Sequence, residues 1–195
     1  MAHPHVLIIS GSTSRKSATR DLLKQIAGLL ETAGAAVDML DLADEALPLF
    51  NPDSCYEAPH YSPLQERVQR ADVLLIGTPD YHGTMSSAAK NFLDHFWKEY
   101  AGKLFAVVVS SHDKGLTVVD HIRTVARQCY AWTLPYAVTF IEKLDMKDGR
   151  IAGDALRSRV EMLVRDICVY GEVLARQRSA DLAGKEPGFM ARLRP

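Results

Sequence analysis

The chain has 195 residues, 47% of them hydrophobic and 24% charged, with a net charge of −1, so it fits a single domain with a sizeable core. Near-neutral charge offers no basic face to nucleic acid or an anionic membrane, and no apolar run is long enough to span a bilayer. Cys55, Cys129 and Cys168 are an odd, scattered set that predicts a reducing cytoplasm and matches no metal spacing, and because residues 1–5 run straight into the first strand no signal peptide is expected.

Val6-Leu7-Ile8-Ile9 reads as a strand buried on both faces. The segment that follows, Ser10-Gly11-Ser12-Thr13-Ser14-Arg15-Lys16-Ser17-Ala18, is rich in hydroxyls. From Thr19 the spacing of Leu22, Leu23, Ile26, Leu29 and Leu30 is helical. A strand, a hydroxyl-rich loop and a helix start make a natural anion site: backbone N–H groups are free there and the helix dipole is positive. An ordinary helix cap explains part of the pattern, but five hydroxyls exceed what one cap needs. The triphosphate-binding loop is excluded, because Ser10 and Arg15 stand where its glycines belong. A tyrosine-phosphatase loop is excluded as well, because there is no cysteine nucleophile. The loop is expected to bind a phosphate without cleaving it.

Gly34 ends the first helix and residues 36–40 form a second strand. Residues 41–61 are a long, proline-punctuated excursion, of the kind that is usually functional or interfacial. Pro63 opens a helix to Arg70, residues 72–78 form a third strand, and Pro79 to Thr84 form its exit loop. Ser86 is expected to cap a helix reaching Tyr100. Residues 104–110 are the fourth strand, 111–115 its exit loop, 117–130 a helix and 136–140 the fifth strand. A turn falls at Asp148-Gly149, Asp154 is expected to cap the last helix, and a tail from 179 is expected to be loose or docked on a neighbouring subunit. The alternation predicts one α/β domain over residues 1–178, a parallel sheet covered by helices on both faces. Its ligand belongs at the carboxyl ends of the strands, among loops 10–18, 41–61, 78–85 and 110–115.

The phosphate loop, then Thr78-Pro79-Asp80-Tyr81-His82-Gly83-Thr84, then Lys90-Asn91-Phe92-Leu93-Asp94, keep an order and spacing that resemble the NADPH-dependent FMN reductase family from Val6 to about Phe140. The resemblance implies a flavodoxin-like three-layer sandwich with a five-stranded parallel sheet in the order 2-1-3-4-5. It implies FMN held noncovalently, with NADPH or NADH as reductant, and a small-molecule acceptor: a flavin, a quinone, an azo compound or a metal oxyanion. The phosphate would meet Ser10, Ser12, Ser14, Arg15, Ser17, Ala18 and Thr19. The rest of the flavin would lie along Pro79, Asp80, Tyr81, His82 and Gly83, with Ser111 and His112 at its edge. A homodimer or homotetramer is implied, with neither a nucleic-acid partner nor a membrane partner.

The sequence departs from the family at three places. Ser86 and Ser87 replace a common proline and glycine, and His82 a common asparagine. The loop 110–115 carries a single glycine, so its approach to the ring stays open. His82 and His112 are acid–base candidates or packing residues, and no catalytic side chain is required because the flavin carries the chemistry. Lys90, Asn91 and Asp94 are either a helix surface or flavin contacts, and the resemblance suggests instead that their helix shapes a dimer interface. Arg15, Lys16 and Lys114 are candidate partners of a 2′-phosphate. A second functional class, a flavodoxin-like electron carrier, would be expected to show a more acidic surface. A third, a flavin-free phosphate binder, would differ in colour.

Overall fold

A computed structural model describes residues 3–194. Its first four long strands are β1 (His5–Ser10), β2 (Ala36–Asp41), β3 (Val73–Tyr81) and β5 (Leu104–Ser110), numbered with the short β4 (Thr84–Met85) between the last two. β1 runs parallel to β2 on one side and β3 on the other, and β3 runs parallel to β5. The fifth position is filled by two short segments, both parallel to β5: β6 (Trp132–Thr133) against its start and β7 (Val138–Phe140) against its end. Pro135 lies between them and has no N–H to give a ladder, so the edge is interrupted there. The flavodoxin-like order 2-1-3-4-5 holds, and with β4 paired antiparallel to the overhang of β3 the sheet counts seven strand segments rather than five.

Alternation along β1 builds the two core layers. Leu7 and Ile9 face one cluster, with Leu64 and Val68 of α2 (Tyr61–Arg70), Phe92 of α3 (Ser87–Asp94), and Val118 and Ile122 of α4 (Leu116–Gln128). Val6 and Ile8 face the other. There they meet Leu22, Leu23 and Ile26 of α1 (Ala18–Thr32). Leu156, Val160, Leu163 and Ile167 of the last long helix, Asp154–Ala183, complete that layer.

Three expected boundaries move. Helix α3 stops at Asp94 instead of reaching Tyr100, because the His95 ring turns back and its Nδ1 takes the Asn91 carbonyl at 2.7 Å. The His95 N–H then bonds Phe92 O, a tighter turn that ends the α ladder. At the last helix Gly153, not Asp154, occupies the cap position, and no side chain caps it. Beyond residue 178 the helix continues to Ala183, a turn of 3₁₀ helix spans Phe189–Leu193, and Met190 is buried. Arg178 donates to the Ala101 carbonyl at 2.9 Å and Arg194 to the Asp181 carbonyl at 2.9 Å, which fastens that return.

Candidate functional site

The β1–α1 loop starts from a tight three-way junction. Gly11 N–H donates to Gly77 O at 2.7 Å, and Gly11 O accepts from Ser86 Oγ at 2.5 Å. Ser86 N–H in turn donates to Thr78 Oγ1, and Ser86 Oγ caps α3 by accepting from Ala89 N–H. A Cβ at residue 11 would sit 2.8 Å from Ala89 Cβ and 2.9 Å from Gly77 O, so only glycine lets the loop leave the sheet here.

Past that junction, Arg20 organises the loop from behind. Its guanidinium donates to Ser14 O at 2.8 Å, to Ser12 O at 3.1 Å and to Arg15 O at 3.4 Å, and it pairs with Asp41 at the end of β2. The hydrogen bonds to Asp41 hold the guanidinium above its ordinary pKa, so the charge stays. A trans peptide points its C=O and N–H in opposite directions, so carbonyls gathered on Arg20 turn the following N–H groups away from it. Ser17 Oγ caps the helix by accepting from Arg20 N–H at 3.1 Å. Ala18 and Thr19 open the helix, and their N–H groups have no partner within it.

The cleft at this edge of the sheet has a volume of about 230 Å³. Its walls come from four strand exits: 12–19, 79–81, 110–112 and 141–143. Of the residues expected at the site, Ser12, Ser14, Ser17, Ala18, Thr19, Pro79, Asp80, Tyr81, Ser111 and His112 line it, and Lys16 joins them. Ser10, Arg15, His82 and Gly83 do not. Ser10 lies beneath the loop with its Oγ buried and unpartnered among the described residues. Arg15 is exposed. His82 and Gly83, with φ of 56° and 79°, form the two-residue turn of the β3–β4 hairpin, which explains a glycine there and places His82 at an exposed tip.

Loop 110–115 does border the cleft. Ser111 Oγ donates to Asp80 Oδ2 at 2.9 Å, while Asp80 Oδ1 accepts from Gly83 N–H at 2.8 Å, so the Asp80 carboxylate is held from both sides. The excursion 41–61 does not border it. It is tied to α3 instead, with Phe50 N–H donating to Asn91 Oδ1 and Asn91 Nδ2 donating to Pro48 O. Asn91 is therefore a scaffold residue, and Lys90 pairs with Asp94 one turn along the same helix surface.

Sequence reasoning missed Arg20 and the stretch Ile141-Glu142-Lys143. The second had a signal, since it follows the fifth strand at the same edge. The first had none, because its partner Asp41 lies 21 residues away.

The family model for NADPH-dependent FMN reductases matches residues 4–144. This chain belongs to that family. It is 30% identical over 178 residues to an FMN-dependent NADPH-azoreductase of Staphylococcus haemolyticus, covering 84% of this chain and 93% of that protein. It is 29% identical over 182 residues to the NADH-dependent FMN reductase SfnE of Pseudomonas putida, covering 90% of this chain and 97% of the other. Among solved structures, the NAD(P)H:acceptor oxidoreductase FerB of Paracoccus denitrificans superposes with a TM-score of 0.73 at 20% identity, over 87% of this chain and 97% of that one, a likeness of fold. The chain is an FMN-dependent NAD(P)H oxidoreductase. The residues present suit that cofactor: loop carbonyls are sequestered on Arg20, and the N–H groups of Ala18 and Thr19, which line the cleft, have no partner within the helix. Such a donor-rich cradle matches the acceptor oxygens of a phosphate ester. No helix among the described residues is long and apolar enough to cross a membrane.

Proposed function

We propose that the β1–α1 loop grips the FMN phosphate through the Ser12 and Ser17 hydroxyls and the Ala18 and Thr19 N–H groups, with Lys16 adding positive charge. Pro79, Asp80 and Tyr81 from β3, and Ser111 and His112 from the exit of β5, form the wall along the remainder of the flavin. Ser10 supports the loop from below. Arg15, His82 and Gly83 receive no flavin contact in this assignment. The carrying observation is the convergence of these donors on one cleft at the carboxyl edge of the sheet.

When bound, FMN would supply the two-electron chemistry that links NAD(P)H to the acceptor, in ping-pong order if both substrates use the same site. The chain supplies position. Reacting atoms must be held to about 3–3.5 Å, and a loop fixed by Arg20 anchors one end of the cofactor so that little motion remains at the other. Asp80, held by Ser111 and Gly83, keeps the β3 exit in one shape. Tyr81 is half exposed and gives the cleft an aromatic rim. That rim favours a flat conjugated acceptor, an azo compound, a quinone or free flavin, over a metal oxyanion. The names of the azoreductase relatives point the same way.

Anaerobic titration of the flavin-loaded protein with NADPH and NADH tests this reading. Bleaching by either nucleotide without a partner reductase, then rapid recovery of colour on adding an azo dye or a quinone, is expected. Failure to bleach would point to an electron carrier, and faster recovery with chromate would overturn the acceptor assignment. We further propose a homodimer or homotetramer, because Trp97, Tyr130, Trp132 and Phe189 are large exposed aromatics on one chain. Light scattering that gives a monomer mass would remove this proposal.

A further inference from the structure

Away from the flavin cleft, three metal-binding side chains converge. Cys55 Sγ and ring nitrogens of His60 and His95 all lie within 4.8 Å of one another. His60 Nε2 and His95 Nε2 are 3.4 Å apart. A well-made hydrogen bond from N–H to an acceptor is shorter, about 2.7–3.2 Å. With metal–nitrogen bonds of about 2.0–2.1 Å, a tetrahedral angle sets two nitrogen ligands about 3.3–3.4 Å apart. The spacing of the two imidazoles is therefore that of a tetrahedral edge.

The tautomer is also set. His95 Nδ1 lies 2.7 Å from the Asn91 carbonyl oxygen, which can only accept, so Nδ1 carries the ring proton. In the neutral ring this leaves the Nε2 lone pair facing His60. Metal-bound imidazoles are commonly oriented in this way, with the second nitrogen donating to a carbonyl. The surroundings are apolar on one side: Cys55 is 4% and His95 1% exposed, and the Phe50 and Phe96 rings lie 5.4 Å and 6.1 Å from the His95 ring. His60 is half-buried and leaves a solvent side.

We propose that Cys55, His60 and His95 form a zinc site with one thiolate, two imidazoles and a water in the fourth position. Cys55 and His60 belong to the 41–61 excursion, and His95 closes α3. The ion therefore clips the excursion onto the helix at a second point beside the Phe50–Asn91 bond. On binding, the Cys55 thiol gives its proton to solvent and the sulfur–zinc bond forms, with no change of oxidation state. None of the three residues lines the flavin cleft, so the site does not depend on the flavin assignment.

The test uses flavin-loaded protein freed of metal by a chelator and titrated with Co²⁺. A thiolate-to-cobalt charge-transfer band and tetrahedral visible bands to the red of the flavin are expected, saturating at equimolar metal and vanishing on addition of Zn²⁺. The variant His60→Gln, at a half-buried position, is expected to keep its FMN and to weaken Zn²⁺ binding by about tenfold or more in competition with a chromophoric chelator. Cys55→Ser should lose the charge-transfer band. Zn²⁺ should raise the melting temperature of the parent and not of His60→Gln. A six-coordinate cobalt spectrum, or equal Zn²⁺ affinity in parent and His60→Gln, would overturn the site.

Discussion

Arg20 and Asp41 join the carboxyl end of β2 to the back of the phosphate loop. Arg20 Nη2 reaches Asp41 Oδ1 at 3.1 Å, and the same guanidinium collects the carbonyls of Ser12 and Ser14. Both side chains are largely buried, 11% and 12% exposed, so the pair acts where water competes poorly. The loop shape is thus fixed before any ligand arrives, which lowers the ordering cost of binding. Replacing Arg20 with Gln leaves Asp41 unpaired and frees the loop. Stability is expected to fall by about 3 kcal/mol, as for a broken buried pair. FMN affinity should fall by about tenfold or more, equivalent to about 1.4 kcal/mol, as read by flavin fluorescence titration.

Gly11 and Gly28 make a matched contrast. Alanine at 11 would press on Ala89 Cβ and Gly77 O, whereas nothing lies within 4 Å of a Cβ at 28. Gly11→Ala is expected to destabilise by about 1–3 kcal/mol and to weaken FMN binding. Gly28→Ala, inside α1 on an exposed face, should stabilise by about 0.5–1 kcal/mol and leave FMN binding unchanged. Denaturant midpoints and flavin titrations of the two variants check both signs.

Lys103 is buried, and its amine donates to the carbonyls of Gln69, at 2.9 Å, and Ala71. Burial, with a smaller push from Arg178, brings its pKa down from 10.5 to about 7. Above pH 7 the folded chain releases this proton while the unfolded chain keeps it, so folding is favoured as pH rises. Below pH 7 both states carry the proton and the burial cost is complete. Between pH 7 and 8.5 the parent should gain up to about 1.4 kcal/mol per pH unit relative to Lys103→Met. Urea unfolding at several pH values reads the difference in slope. Parallel slopes for the two proteins would contradict it.

Much of the architecture was legible because β1, β3 and β5 are apolar on both faces, a pattern that forces helices onto each side. The place of Ser12, Ser17, Pro79 and Asp80 on the strand-exit cleft was legible because each follows a buried strand at the carboxyl edge of the sheet. Contacts that cross the fold were not. Arg20 carried no signal, since nothing local ties it to Asp41. The excursion 41–61 was expected at the cleft from its position after β2, but Asn91 anchors it on α3 instead. His95 gave no warning that its ring would end α3, because a side chain competing for its own helix's carbonyl leaves no periodic trace. Cys55 was weighed only against other cysteines, whereas its neighbours in space are two histidines.

The central claim is that the β1–α1 loop recognises a phosphate, and the comparison that isolates it is riboflavin against FMN. The two ligands share the ring and ribityl chain and differ only in the phosphate. Equilibrium titration of the apoprotein should show FMN binding at least about a hundredfold tighter than riboflavin, a difference of about 2.7 kcal/mol, and Arg20→Gln should shrink that ratio. Equal affinities for the two, or a ratio untouched by Arg20→Gln, would contradict the account.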